Sequence, residues 1–293
     1  MVMDRMGRRS FIGGTATSAV AIGAFGLTAC GAGSEWPRLG VRFADGINAN
    51  TTFVADAGPQ RFPFVLIADD GLPLIEDNPS FLEMTVTRDE VQVGTFTVPV
   101  RGAGQFTPYY PLVFDPPEPG RYVVSTADVE MTSEIIVETR AEVSLPQIGD
   151  TLPAFKTPTF DDPAGVDPVC TRSEPCPFHT ISLADAHANQ KGTVLLISTP
   201  EFCQTDVCGP VLEFLMEAGE DGGLNDLNVI HQEVFADPRN PDPTPFPEVA
   251  PLLAELGMEF EPSLFVMNAS GVIIDARHYA IDRDELHDAL SNR

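Results

Sequence analysis

Positive charge is scarce in this sequence: 17 lysines and arginines stand against 43 aspartates and glutamates, a formal net charge of −26 over 293 residues. That balance repels nucleic-acid phosphate and anionic membrane surface, so no nucleic-acid partner is expected. The acids are scattered rather than gathered in one run, the pattern of a solvated surface that maintains solubility. Long apolar stretches are lacking beyond the first thirty residues, and no second segment approaches the length that crosses a bilayer. Cysteine is sparse, with five in all. A chain this long is sufficient for two domains with their own cores, and disulfide staples are not needed to build them.

What is present begins at the N-terminus. Arg5, Arg8 and Arg9 precede an uncharged Gly/Ala/Thr/Val run from Gly13 to Ala29, the layout of an export signal. Gly7-Arg8-Arg9-Ser10-Phe11-Ile12 resembles the twin-arginine export motif, which implies export of a folded chain. Leu27-Thr28-Ala29-Cys30 resembles a bacterial lipobox, which implies cleavage before Cys30 and a lipid on that cysteine. The competing reading is an uncleaved membrane helix, but about 17 apolar residues is the lower limit for spanning, and glycines weaken such a helix. Residues 1–29 carry Asp4 against three arginines, a net +2, so their removal takes the chain from −26 to −28. The expectation is a signal over 1–29, a tether over 30–40, and attachment to the extracytoplasmic membrane face through Cys30.

From 41 to 143 the pattern is short apolar or alternating runs: Thr52–Val54, Phe62–Ile67, Phe81–Val86, Val91–Val100, Tyr110–Phe114, Tyr122–Thr126 and Ile135–Val137. Turn formers such as Asp69-Asp70-Gly71 and Pro116-Pro117-Glu118-Pro119-Gly120 separate them. Seven strands at regular spacing predict an all-β sandwich. Pro119-Gly120-Arg121-Tyr122-Val123-Val124 resembles the penultimate strands of immunoglobulin-like modules. No cluster here proposes chemistry.

Ser144 to Phe155 is rich in turn formers and reads as a linker, with a boundary near residue 146. Over 147–293 the grammar changes to α/β. Strands are expected at Thr193–Ser198 and Asn228–Phe235, and a hairpin at Ser263–Met267 and Val272–Ala276. Helices are expected at Val207–Ala218, Glu248–Leu256 and Arg283–Leu290. Three placements carry a resemblance to the thioredoxin-like superfamily: Cys203 just past the first core strand, the Glu261-Pro262-Ser263 step opening an apolar strand, and the closing helix. The resemblance implies a cis-proline at Pro262 beside the redox cysteine.

With Cys30 assigned to lipid, four cysteines remain, and an even number in an exported chain argues for disulfides. Cys203 stands at a strand-to-helix turn, where free backbone N–H groups and the helix dipole favour a thiolate. It is the candidate nucleophile and Cys208 its resolving partner. Thioredoxin-like proteins place two residues between such cysteines; here there are four. Five helical positions turn by about 500°, so the two would face apart on a regular helix. A disulfide needs Cα atoms within about 7 Å. Either 203–207 is a loop, with Pro210 supporting a helix start near Gly209, or the first turn unwinds on oxidation. The four-residue gap also resembles one branch of the peroxiredoxins. That family's threonine stands three residues before its cysteine, whereas Thr199 stands four before Cys203; its site arginine has no match in Glu261-Pro262-Ser263, which leaves Arg277 as the candidate.

Cys170 and Cys176 lie in a proline-rich loop ending at His179. Three readings apply to them: a structural disulfide, a second redox pair exchanging with Cys203 or Cys208, or a metal site formed with His179, since thiolates with imidazole suit copper(I) or zinc. Exported thioredoxin-like copper carriers pair such cysteines with a distant histidine, but neither His231 nor His278 aligns to that role. His187 and His287 read as solvated helix residues. The function expected is thiol–disulfide exchange with exported protein thiols or disulfides, without a cofactor.

Overall fold

The computed structural model describes residues 37–42, 52–127, 129–202, 206–239, 248–258 and 260–291. The expected signal over 1–29, the lipid-bearing Cys30 and the candidate nucleophile Cys203 lie outside the described residues. Everything below concerns the described residues, all of which fall in one compact unit, Ser34–Arg293.

Alternating apolar side chains make the first seven strands: β1 (Arg38–Val41), β2 (Gln60–Ile67), β3 (Phe81–Arg88), β4 (Val91–Pro99), β5 (Tyr110–Phe114), β6 (Gly120–Thr126) and β7 (Val129–Val137). They form two antiparallel sheets, in the orders β1-β2-β5 and β4-β3-β6-β7. In β6, Tyr122, Val124 and Thr126 point inward while their neighbours are more exposed. Phe62, Phe64 and Phe114 of one sheet share a core with Met84, Tyr122, Val124 and Ile135 of the other. Residues 38–40 of β1 lie in the stretch expected to be a tether; they pair with β2 instead, Leu39 opposite Leu66. The expected strand at Thr52–Val54 shortens to one bridge, Val54 with Glu138.

The second part carries α1 (Leu183–Ala188), β8 (Gly192–Ile197), α2 (Cys208–Glu220), β9 (Leu227–Gln232), α3 (Pro251–Leu256), β10 (Ser263–Met267), β11 (Ile273–His278) and α4 (Arg283–Ser291). Its sheet has the order β11-β10-β8-β9, with β8 and β9 parallel and the other pairs antiparallel. Strands β8 and β10 are continuous apolar runs because both faces are covered. Val194, Leu196, Leu264 and Val266 pack with α2 and α4. The alternate residues Leu195, Ile197, Phe265 and Met267 pack with Leu183 of α1 and Leu252 of α3. Gly257 closes α3 in the left-handed conformation at φ 63°, the position a helix C-terminus reserves for glycine. Helix α1, capped by the Ser182 hydroxyl, carries His187, which the sequence reads as a helix residue; at 6 residues it is too short for a periodic pattern to give its bounds.

The chain is therefore β-rich, in three sheets with four short helices among the described residues. Packing joins the segments on either side of residue 146: Leu145 and Leu152 are buried in the same core as Phe53 and Tyr279. No described helix is long and apolar enough to cross a membrane.

Candidate functional site

Strand β8 runs into Ser198 and Thr199, then an exposed lip at Glu201 and Phe202, and reaches Cys208 as the first residue of α2 with Val207 as its N-cap. The helix thus starts one residue later than expected, at the cysteine itself. Cys208 is buried and its sulfur is in a disulfide. Its expected partner, Cys203, is outside the described residues. In this disulfide-bonded state α2 begins only at the second cysteine.

The residues before Cys208 are held from the other half of the molecule. Asp206 accepts hydrogen bonds from the Thr107 backbone N–H at 2.7 Å and the Thr107 hydroxyl at 2.5 Å, and pairs with Arg42. Burial acts to raise the Asp206 pKa, but the Thr107 hydrogen bonds and the Arg42 charge outweigh it and hold it below the ordinary carboxylate value. Val207 packs among Val65, Tyr109 and Ala280.

Pro262 follows Glu261 through a cis peptide bond, the isomer the resemblance implies. It is buried and immediately precedes Ser263, which lies opposite Ile197 of β8. This register brings the 261–262 step beside the end of β8 that leads to the cysteine turn. The Glu261 carboxylate accepts the Thr199 backbone N–H, and burial pushes its pKa up to about 7. Arg277 is tied to Asp275 at 3.0 Å and lies 3.7 Å from Glu285. His287 is exposed, as expected, whereas His187 is half-buried on α1.

Cys170, Cys176 and His179, from the proline-rich loop, converge with His231 of β9, and all four are buried. Their ligand atoms all lie within 4.8 Å of one another. His231 Nδ1 is 3.2 Å from His179 Nε2 and 3.5 Å from Cys176 Sγ. His231 Nε2 donates to the Ser198 carbonyl oxygen at 2.9 Å, which leaves Nδ1 as the lone-pair nitrogen facing the cysteines. Both thiols are free, and the Cys176 backbone N–H points at Cys170 Sγ at 3.5 Å. A hydrogen bond from Cys176 is the main influence lowering the Cys170 pKa; the same bond, joined by burial, raises that of Cys176. Burial lowers the pKa of His179. For His231 burial acts in the same direction, but the Cys170 hydrogen bond and the Glu233 charge reverse it.

Sequence reasoning placed Cys170, Cys176 and His179 together and missed His231 as their fourth member. It lies inside an expected strand, 55 residues from Cys176, with no local mark of a ligand. Glu233 was missed as well: it accepts the Thr171 N–H at 2.6 Å, and burial raises its pKa to about 7.

No family model matches this chain, and no curated protein does. Among solved structures, a metagenome-derived glycoside hydrolase family 9 endoglucanase is similar over 30% of this chain at 17% identity and a TM-score of 0.23. The chain spans 17% of that enzyme's length. A likeness at that level carries no argument about fold or activity.

Proposed function

We propose that this protein is a membrane-anchored extracytoplasmic thiol–disulfide exchange protein acting through Cys203 and Cys208. The observation that carries the reading is the Cys208 disulfide, set on the first residue of a helix that follows a central apolar strand. The finer reading of the fold belongs with it: a thioredoxin-like α/β unit preceded by an immunoglobulin-like sandwich. The order β11-β10-β8-β9, with helices on both faces, supports the first; two antiparallel sheets sharing one core support the second.

Cys208 is buried, so Cys203 is the entry point. In the reducing direction the Cys203 thiolate attacks one sulfur of an exported protein's disulfide, forming a mixed disulfide and releasing the other sulfur as a thiolate. Cys208, deprotonated, then attacks Cys203 sulfur, closing the intramolecular disulfide and releasing the partner's second thiolate, which takes up a proton. The oxidising direction reverses both steps. The Pro262 backbone flanks the site through its position beside β8. Thr107 and Arg42 hold Asp206, so the sandwich contributes one wall of the cysteine turn. The N-terminal signal and a lipid on Cys30 would place this chemistry on the outer face of the membrane.

Insulin reduction tests the exchange reading. The chain from Cys30 onward carrying Cys30→Ser should precipitate insulin in the presence of dithiothreitol faster than reductant alone, and adding Cys203→Ser should return the rate to that background. Equal rates with and without Cys203 would remove the reading.

A further inference from the structure

We infer that Cys170, Cys176, His179 and His231 form a tetrahedral zinc(II) site, separate from the Cys203–Cys208 pair and independent of its activity. Four ligands of two soft and two imidazole donors, closed on all sides by protein, is the donor set of a structural zinc centre. Two of the six ligand-atom separations match it closely. Zinc–sulfur and zinc–nitrogen bonds of about 2.3 and 2.05 Å, at tetrahedral angles, separate two nitrogens by about 3.3 Å and a sulfur from a nitrogen by about 3.6 Å. His231 Nδ1 lies 3.2 Å from His179 Nε2 and 3.5 Å from Cys176 Sγ.

The surroundings select the same state. His231 is oriented by a backbone carbonyl on its far nitrogen, the outer-shell partner that aims an imidazole lone pair at a metal. The Cys176 backbone N–H directed at Cys170 sulfur stabilises a thiolate. Two thiolates and Zn²⁺ sum to zero charge, which suits a buried position far better than uncompensated ions. The consequence is mechanical. The site ties the proline-rich loop to β9 next to Ser198, and the His231 backbone N–H, which donates to Phe178 oxygen at 3.0 Å, reinforces the same junction.

The test uses the chain from Cys30 onward carrying Cys30→Ser, purified without chelator from medium supplied with zinc and copper. Elemental analysis should find about one zinc per chain. Cobalt(II) loaded after zinc removal should show thiolate-to-metal charge-transfer bands and the intense d–d absorption of a tetrahedral site. His231→Ala should weaken cobalt binding by at least about 10-fold. Should that variant fail to fold, release of zinc from the unmutated chain by p-hydroxymercuribenzoate, in step with the titration of two thiols, reports the same ligands. Cys203→Ser with Cys208→Ser should keep the zinc, so failure of insulin reduction leaves this inference standing. Absence of metal, copper in place of zinc, a weak octahedral cobalt spectrum, or a Cys170–Cys176 disulfide in the freshly isolated chain would each overturn it.

Discussion

At the residue scale the molecule is decided by a few polar side chains reaching between segments far apart in sequence. Asp206 stands inside the cysteine pair, yet its partners Thr107 and Arg42 are 99 and 164 positions away. Removing it frees the Thr107 N–H and hydroxyl and loosens the turn. Asp206→Ala should cost about 1–2 kcal/mol in urea unfolding, a hydrogen bond to a charged group discounted for the side chain's 45% exposure. It should also speed reduction of the Cys208 disulfide by dithiothreitol, followed by thiol labelling and mass spectrometry. Unchanged reduction kinetics would mean that the sandwich does not control the turn. The cysteine spacing was legible in the sequence, and so was the grouping of Cys170, Cys176 and His179, because each set lies within ten residues of chain. His231 and Asp206 were not legible as site residues, since nothing local distinguishes them.

At the scale of elements, β2 and α4 are locked by one buried pair. Arg61 donates to Glu285 from Nε at 2.7 Å and Nη2 at 2.6 Å, to the His278 carbonyl at 3.0 Å and to the Ala280 carbonyl, while the Tyr109 hydroxyl donates to the same carboxylate. The two side chains are 12% and 7% exposed, so deleting one leaves the other charge stranded. Arg61→Met should destabilise the fold by about 3–5 kcal/mol, measured by urea denaturation, and Arg61→Met with Glu285→Leu should recover most of that loss. Burial acts to raise the Glu285 pKa, but the Arg61 charge and hydrogen bonds outweigh it, and the folded value falls below the ordinary 4.5. The folded state therefore binds fewer protons than the unfolded one. The pair's stabilisation is complete above the unfolded carboxylate pKa and is lost as pH falls through the lower folded value. Glu285→Gln should flatten that acid limb. Periodicity located β2 and α4 individually but carried no information on their contact.

At the scale of the whole molecule, the two halves share a core. Phe53 packs on Phe62 with ring centroids 4.2 Å apart and on Tyr279 at 6.4 Å, and Tyr279 stacks on Phe260 at 4.8 Å. A fragment of residues 147–293 exposes that aromatic surface and strands Glu285 without Arg61. It should be digested by protease far faster than the chain containing both halves and should give poorly dispersed amide NMR signals. A well-dispersed, protected fragment would show that the α/β segment is self-sufficient. Composition suggested a linker near residue 146, because proline and glycine mark a change of pattern. They carry no record of what packs across it.

The sequence by itself determined what depends on neighbours along the chain. The alternation that makes β3 and β6, the apolar runs of β8 and β10, the helix stops, and a cysteine at the end of the first central strand of the second part are all of this kind. Each follows from backbone geometry and the side of a strand or helix that must be buried. Only the tertiary structure decided that β1 joins the first sheet, that Thr107 and Arg42 hold the cysteine turn, and that His231 completes a four-ligand cluster with Cys170, Cys176 and His179. These contacts bridge segments whose spacing has no period. They exist because sheet register and shared burial place the side chains together.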